Sequence, residues 1–204
     1  GIDHWKGLDF EGIITVDSLG LDSKVSCQYE SSKKYEIQKT LRRLKIETGT
    51  VAIDFGCGKG RVVVELAKDK RINVVYGIEI SNALVKIANK NIVKLGLKNI
   101  EIIERDAREI PVTVLDSTTL IYFYNPFPDA VMVQVVRAID DSLFRNMRKL
   151  NIVYFNPISH SAFLKSKYIR FKGVIDNPLS NAPTYLYSSE KDYFKVIPGE
   201  KSHE

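Results

Sequence analysis

Residues Val51 to Ala67 read VAIDFGCGKGRVVVELA. A short apolar run ends in an acid, Asp54, and glycines follow at alternate positions, Gly56, Gly58 and Gly60. Glycine carries no Cβ and tolerates left-handed dihedrals, so such a loop lets backbone pass close to a ligand. Loops of this kind hold phosphates, dinucleotides or sulfonium cofactors. A phosphate-cradling loop needs GxxxxGK followed by Ser or Thr, whereas here Lys59 precedes Gly60 and Arg61 follows it. The dinucleotide fingerprint GxGxxG needs its last glycine at position 61, for tight strand–helix packing and close approach of a pyrophosphate. Arg61 stands there and argues against a dinucleotide.

Two further acids fall at comparable places. Glu79 lies near the end of the apolar run NVVYGIEI, and Asp106 ends NIEIIERD. With Asp54-x-Gly56-x-Gly58-x-Gly60, these put polar groups on three successive strand ends. In this the chain resembles the class I S-adenosylmethionine-dependent methyltransferases, by order and spacing of motifs over roughly residues 29 to 156. The resemblance implies S-adenosyl-L-methionine as cofactor. Asp54, Gly56, Cys57, Gly58 and Gly60 would pass under its methionyl part, with free N–H and C=O groups turned toward it. It also implies that Glu79, with Ile80 beside it, accepts hydrogen bonds from the ribose hydroxyls. Asp106 would meet the adenine amino group, and Ala107 would donate its N–H to the ring. Upstream, QYESSKKYE resembles a segment that covers the cofactor in relatives, so Tyr29 is expected over the methionyl moiety. Lys59 and Arg61 either meet a carboxylate or stay solvated.

The next strand end reads YFYNPFPD. In amino-methylating relatives this place carries Asn or Asp, two prolines and an aromatic. Asn125 and Pro126 fit, but Phe127 and Pro128 reverse the order of aromatic and second proline. Asn-Pro recurs at Asn156–Pro157 and Asn177–Pro178, so the chain also uses the pair simply to end strands. Asn125 and Tyr124 are the candidate catalytic residues. Methyl transfer depends mainly on aligning the nucleophile with the methyl group and excluding water. A base is needed only for a hydroxyl or a protonated amine; candidates are Asp129, His160 and Tyr124. The acceptor stays open: a small molecule or saccharide is preferred, then a protein side chain, then RNA, so nucleic acid is not favoured.

The elements that must hold these groups alternate. TVAIDF is a continuous β-branched run, as expected for a strand covered on both faces. Strands follow at NVVYGIEI, NIEIIERD, TTLIYFYN and LNIVYFN. Between them, GRVVVELAKD reads as a helix, Ser81 caps a second that Gly96 stops, and Met132, Val135, Val136, Ile139 and Leu143 mark a third. From Ser32, Ile37, Leu41 and Leu44 share one helical face. Strand–helix alternation predicts right-handed crossovers. The expected fold is α/β, Rossmann-like and doubly wound. Its seven-stranded sheet is mostly parallel, with an antiparallel C-terminal hairpin and an N-terminal arm plus helix. One domain is expected, with arm and helix over 1–48, cofactor-binding core over 49–156 and C-terminal strands over 157–204. The last strands are placed at KYIRFKGVI, PTYLYS and DYFKVI.

Composition is close to that of an ordinary globular protein, which argues against disorder: 204 residues, 44% hydrophobic and 27% charged. Charge interrupts every apolar run before it could span a bilayer. No charged-then-apolar leader is seen, and Gly1 replaces an initiator Met, so the beginning says nothing of what preceded it. Cys27 and Cys57 are too few for a disulfide framework and lack metal spacing, which predicts reduced thiols in a cytoplasmic protein. His4 and His203 lie in the termini, and no triplet of metal ligands is apparent. The net charge of +5 is mild. Its densest cluster, Lys33, Lys34, Lys39, Arg42, Arg43 and Lys45, reads as a solvated helix face. The expected partners are S-adenosylmethionine and one acceptor, with no membrane, and nothing fixes an oligomeric state.

Overall fold

A computed structural model describes residues 7–15, 17–23, 29–30, 33–124, 126–177, 180 and 182–189, with backbone alone for Tyr29 and Glu30. In the N-terminal arm, β1 (Ile13–Ile14) pairs antiparallel with β2 (Tyr29–Glu30), and a 3-10 turn spans Asp17–Leu19 between them. Helix α1 covers Lys34–Arg43. Ser32, the expected start, lies outside the described residues.

The main sheet is built from β3 (Thr50–Phe55), β4 (Ile72–Glu79), β5 (Ile100–Glu104), β6 (Leu120–Tyr124), β7 (Asn151–Phe155), β8 (Arg170–Ile175) and β9 (Thr184–Ser188). Their order is β5-β4-β3-β6-β7-β9-β8. The first five run parallel, while β9 lies antiparallel to both β7 and β8. This is the expected sheet, with its antiparallel C-terminal end. DYFKVI lies outside the described residues. Strand order reverses between β3 and β6, which opens a crevice at their carboxyl ends.

The helices are α2 (Arg61–Ala67), α3 (Asn82–Leu95), α4 (Val112–Ser117), α5 (Asp129–Arg145) and α6 (His160–Phe163). Helix α3 has the anticipated caps: the Ser81 hydroxyl accepts from Leu84 N–H, and Gly96 closes it in a left-handed conformation. Sequence reading missed α4 and α6. At six and four residues they are too short for a 3.6-residue period to register.

The period of two along each strand divides the core into two layers. On β3 and β6, Ile53, Phe55, Ile121 and Phe123 face α5, where they meet Met132, Val135, Ile139 and Leu143. Phe55 stacks on Phe123 with centroids 5.3 Å apart. Ala52, Leu120 and Tyr122 face the other way, with Ile37 and Leu41 of α1 and Val62, Val63 and Leu66 of α2. Burying each large apolar side chain contributes about 1.5–3 kcal/mol. Between the helices of this second layer, buried Glu65 accepts from Gln38 Nε2 of α1 at 2.8 Å. Arg71 donates to the carbonyls of Leu41 and Leu44, satisfying the end of α1.

The arm docks on the outside of α2 and α3. Asn91 on α3 is buried, and its amide treats Asp9 as a strand partner would. Its Oδ1 accepts from Asp9 N–H at 3.0 Å, and its Nδ2 donates to Asp9 C=O at 2.7 Å. The second Nδ2 hydrogen reaches Lys59 C=O at 3.1 Å, in the glycine loop. Phe10 is buried against Val64 and Ile92. No helix among the described residues is long and apolar enough to cross a membrane.

Asn91→Leu keeps the branch point and number of side-chain heavy atoms but deletes three hydrogen bonds at about 1 kcal/mol each. Urea unfolding is expected to show a loss of roughly 2–4 kcal/mol; a loss below about 0.5 kcal/mol would place the arm's anchorage elsewhere.

Candidate functional site

The carboxyl ends of β3, β4 and β6 and the segments that follow them form the candidate site. Gly56, Gly58 and Gly60 all have positive φ, at 73°, 54° and 87°. Gly56 is the tightest point: a Cβ there would lie 2.5 Å from Pro126 Cβ, beyond the end of β6. Gly60 is the left-handed N-cap of α2. Cys57 packs across Gly77 of β4, where a Cβ would sit 2.8 Å from its sulfur, so both positions must be small. The Cys57 thiol is free and buried, and its pKa is pushed up by burial and by the nearby charges of Glu79 and Asp54.

The loop consumes its own amides. Gly56 N–H and Cys57 N–H both donate to Ile78 C=O, at 2.8 and 3.0 Å, and Gly60 N–H donates to Cys57 C=O at 2.9 Å. Gly58 N–H donates to Glu79 Oε2 at 2.9 Å, while Ser81 N–H donates to Glu79 Oε1 at 2.9 Å. The expectation that these glycines offer free N–H groups is therefore corrected. The loop contributes shape, and these amides are spent on the strand beside it and within the loop itself. Glu79 is a buried clamp between loop and α3, and each of its oxygens retains acceptor capacity. Burial raises its pKa, and the N–H groups of Ser81, Gly58 and Ile80 pull it back.

Lys59 and Arg61 turn away from the loop toward the arm. Both are buried; Lys59 Nζ meets Asp9 Oδ1 at 2.5 Å, and Arg61 Nη2 meets Glu11 Oε1 at 2.7 Å. The Arg61 guanidinium also lies 4.4 Å over the Phe10 ring. The residue that breaks the dinucleotide fingerprint thus serves arm docking. The solvated alternative for both side chains is ruled out.

Asp54 is the polar group the loop leaves open. It is 1% exposed, and its Oδ1 has no hydrogen-bond partner among the described residues. Burial first, and then the Glu79 charge, push its pKa well above the carboxylate range. Asp106 is engaged: it accepts from Arg108 N–H at 2.9 Å, and its carboxylate pairs with the Arg108 guanidinium at 2.6 Å. Those contacts hold its pKa below the usual range. Ala107 is buried at the start of the one-turn 3-10 helix that Asp106 caps.

At the rim, Tyr124 is half-buried and stacks on Phe155 with centroids 4.2 Å apart. Asn125 lies outside the described residues, as does the side chain of Tyr29, whose backbone pairs with Ile14. Asp129 opens α5, exposed in its first turn. His160 is drawn to another part of the fold. Its Nδ1 lies 2.7 Å from Tyr187 Oη, and its ring packs against Phe171 and Tyr185 at the β8–β9 edge. That edge is separated from β3 by β6 and β7, so His160 is not beside the glycine loop.

Sequence reading missed two polar residues near the site. Glu36 and Tyr122 are 2% and 0% exposed, and neither Glu36 oxygen nor the Tyr122 hydroxyl has a hydrogen-bond partner among the described residues. The available signal was the spacing Glu36, Thr40, which widens the apolar stripe of Ile37 and Leu41 by one row.

Because the folded-state pKa of Asp54 is raised, its contribution to stability is complete below the ordinary carboxyl pKa and is lost as pH rises toward the folded value. Asp54→Asn is expected to raise the Tm of the ligand-free protein at pH 7–8, with a gain on the order of 1 kcal/mol, about 2–4 °C for a chain of this size. The gain should vanish near pH 4; a pH-independent change in Tm would contradict the assignment.

Residues 46–168 match the family model described as a methyltransferase domain. The probable cobalt-precorrin-6B C(15)-methyltransferase (decarboxylating) of Methanocaldococcus jannaschii is 31% identical over 71 residues, covering 35% of this chain and 38% of that protein. A protein-lysine N-methyltransferase of Saccharolobus islandicus is 29% identical over 69 residues, covering 34% and 43%. The alignments therefore span less than half the length of either curated relative. Among solved structures, an RNA methyltransferase from Salinibacter ruber in complex with S-adenosyl-L-homocysteine superposes with a TM-score of 0.62 at 19% identity, covering 83% of this chain and 97% of that one. Since the family match covers more than half of the chain and the sheet order and neighbouring fold agree with it, the chain belongs to the class I S-adenosylmethionine-dependent methyltransferase family.

Proposed function

We propose that the protein is an enzyme that transfers a methyl group from S-adenosyl-L-methionine to an acceptor, with a small molecule or saccharide preferred over a protein side chain or RNA. The observation that carries the cofactor half is the grouping of Asp54, Gly56 and Glu79 on adjacent strand ends. Asp54 keeps an unsatisfied buried oxygen, Gly56 leaves its backbone exposed, and Glu79 has lone pairs to spare. These fit a cationic, hydroxyl-bearing ligand. Bound there, S-adenosylmethionine supplies an activated methyl group with a thioether as leaving group.

In this reading Gly56, Cys57, Gly58 and Gly60 shape the floor of the site, and Asp54 faces the methionyl end. Glu79 takes the ribose hydroxyls while Ile80 lines the strand end. Asp106 and Ala107 lie at the adenine end, where Asp106 must share its carboxylate with Arg108. Tyr29 closes over the methionyl part. Asn125 and Tyr124 form the acceptor side and orient the nucleophile, and the Tyr124–Phe155 stack helps exclude water. Asp129 and Tyr124 remain the candidate bases, required only for a hydroxyl or protonated amine. Residues 49–156 would bind the cofactor, with segments of 1–48 and 157–204 building the acceptor pocket. The cobalt-precorrin named for one relative supports the small-molecule preference, and the lysine named for another keeps protein side chains second. The free Cys57 thiol supports a cytoplasmic setting.

Calorimetry with S-adenosylhomocysteine, S-adenosylmethionine and NAD tests the reading. The two adenosyl ligands are expected to bind and NAD to fail; tight NAD binding alone would sink it. Glu79→Ala is expected to weaken S-adenosylhomocysteine roughly 10–100-fold, the value of one or two charge-assisted hydrogen bonds. Gly58→Val should weaken it as strongly, because φ is positive there. Unchanged affinity in both variants would refute the placement of the site.

A further inference from the structure

Glu36, Tyr122 and Asp54 come from α1, β6 and β3, yet all three turn toward the same layer of the core. Asp54 and Tyr122 are register partners on neighbouring strands, and Tyr122 packs in one cluster with Ile37 and Leu41, the neighbours of Glu36 on α1. All three side chains are at least 98% buried, and four of their oxygens lack a hydrogen-bond partner among the described residues: both of Glu36, Oδ1 of Asp54 and the hydroxyl of Tyr122. Buried acceptors in such number are costly unless something donates to them. The two buried cations among the described residues, Lys59 and Arg61, are engaged with Asp9 and Glu11 on the arm.

We propose that Glu36, Tyr122 and Asp54 line a recess that receives an alkylammonium group. An ammonium carries three donors and no acceptor, which suits two carboxylates and a phenol; a guanidinium, with five donors in a planar fork, would leave some unmet. The Tyr122 hydroxyl lies in the field of Asp54, Tyr124 and Glu36, which together with burial keeps it protonated and neutral. It can therefore accept from a cation without adding charge. Two residues further along β6, Tyr124 on Phe155 gives the recess an aromatic rim, a surface favourable to cations. No group of three metal-ligating side chains occurs among the described residues. Alkylammonium groups reach such a site from two sources, the methionyl end of the cofactor or an amine acceptor. The first source rests on the proposed function; the second does not.

Glu36→Gln removes the charge at nearly constant shape. Calorimetry would compare this variant with wild type for S-adenosylhomocysteine and for 5′-methylthioadenosine, which lacks the amino-acid portion. A titration of n-butylammonium chloride into S-adenosylhomocysteine-saturated protein, followed by NMR, supplies the second arm. The expected result is at least a tenfold loss for an ammonium-bearing probe, with 5′-methylthioadenosine held within twofold as the check on folding. Loss on S-adenosylhomocysteine assigns the recess to the cofactor, and loss on n-butylammonium alone assigns it to an acceptor amine. No loss on either probe, or a parallel loss on 5′-methylthioadenosine, overturns the proposal. If the variant does not fold, wild type decides: n-butylammonium binding no better than n-butanol, together with S-adenosylhomocysteine binding no better than its deaminated analogue, overturns it. Wild type that binds neither adenosyl ligand would sink the methyltransferase reading instead, and n-butylammonium added to the ligand-free protein would still decide on the recess.

Discussion

A single buried carboxylate organises the region around the glycine loop. Glu79 ends β4, and by accepting one N–H from Gly58 and another from Ser81 it joins the loop after β3 to the start of α3. The loop's three glycines have no side chains with which to hold it, so much of its conformation is borrowed from the strand beside it. Ile78 C=O takes the two amides that precede this clamp, which carries the parallel ladder one step beyond the strand. A charge in this position is tolerated because backbone dipoles compensate part of its desolvation. The same N–H groups thereby fix where the carboxylate lies.

Charge is distributed with a consistent logic around that clamp. On the outer side, buried cations meet carboxylates on the arm: Lys59 with Asp9, Arg61 with Glu11. On the inner side, toward β6 and α1, buried acids stand without cations. The outer pairs stabilise the empty protein, and the inner acids penalise it. Binding sites commonly carry polar groups whose desolvation is offset only when a ligand arrives. The asymmetry thus separates the face that holds the fold from the face we propose for a ligand.

Much of the framework was legible in the residues. The β-branched runs and their spacing identified the parallel strands, and Ser81 and Gly96 bracketed α3 to the residue. The loop's ligand class was legible too, because Arg61 and the three strand-end acids are local features. Three things were not. The short helices α4 and α6 hold too few residues for a periodic signal. Arg61 looked like a neighbour of the ligand, and only the distant arm shows what it serves. Glu36 was hidden because its burial follows from how α1 rotates onto the sheet, and an acid beside an apolar stripe reads as solvated until that rotation is known. His160 failed in the opposite sense: close in sequence to β7, it is carried to the β9 side by Tyr187.

The Asn91–Asp9 contact joins positions 82 residues apart, with Lys59 between them on the same amide. The arm is made first, yet it has nothing to dock against until the chain through α3 has formed and settled on the sheet. Closing so long an interval is slow relative to local structure. The arm can therefore dock only where the glycine loop and α3 are already in place, although it precedes both in the chain.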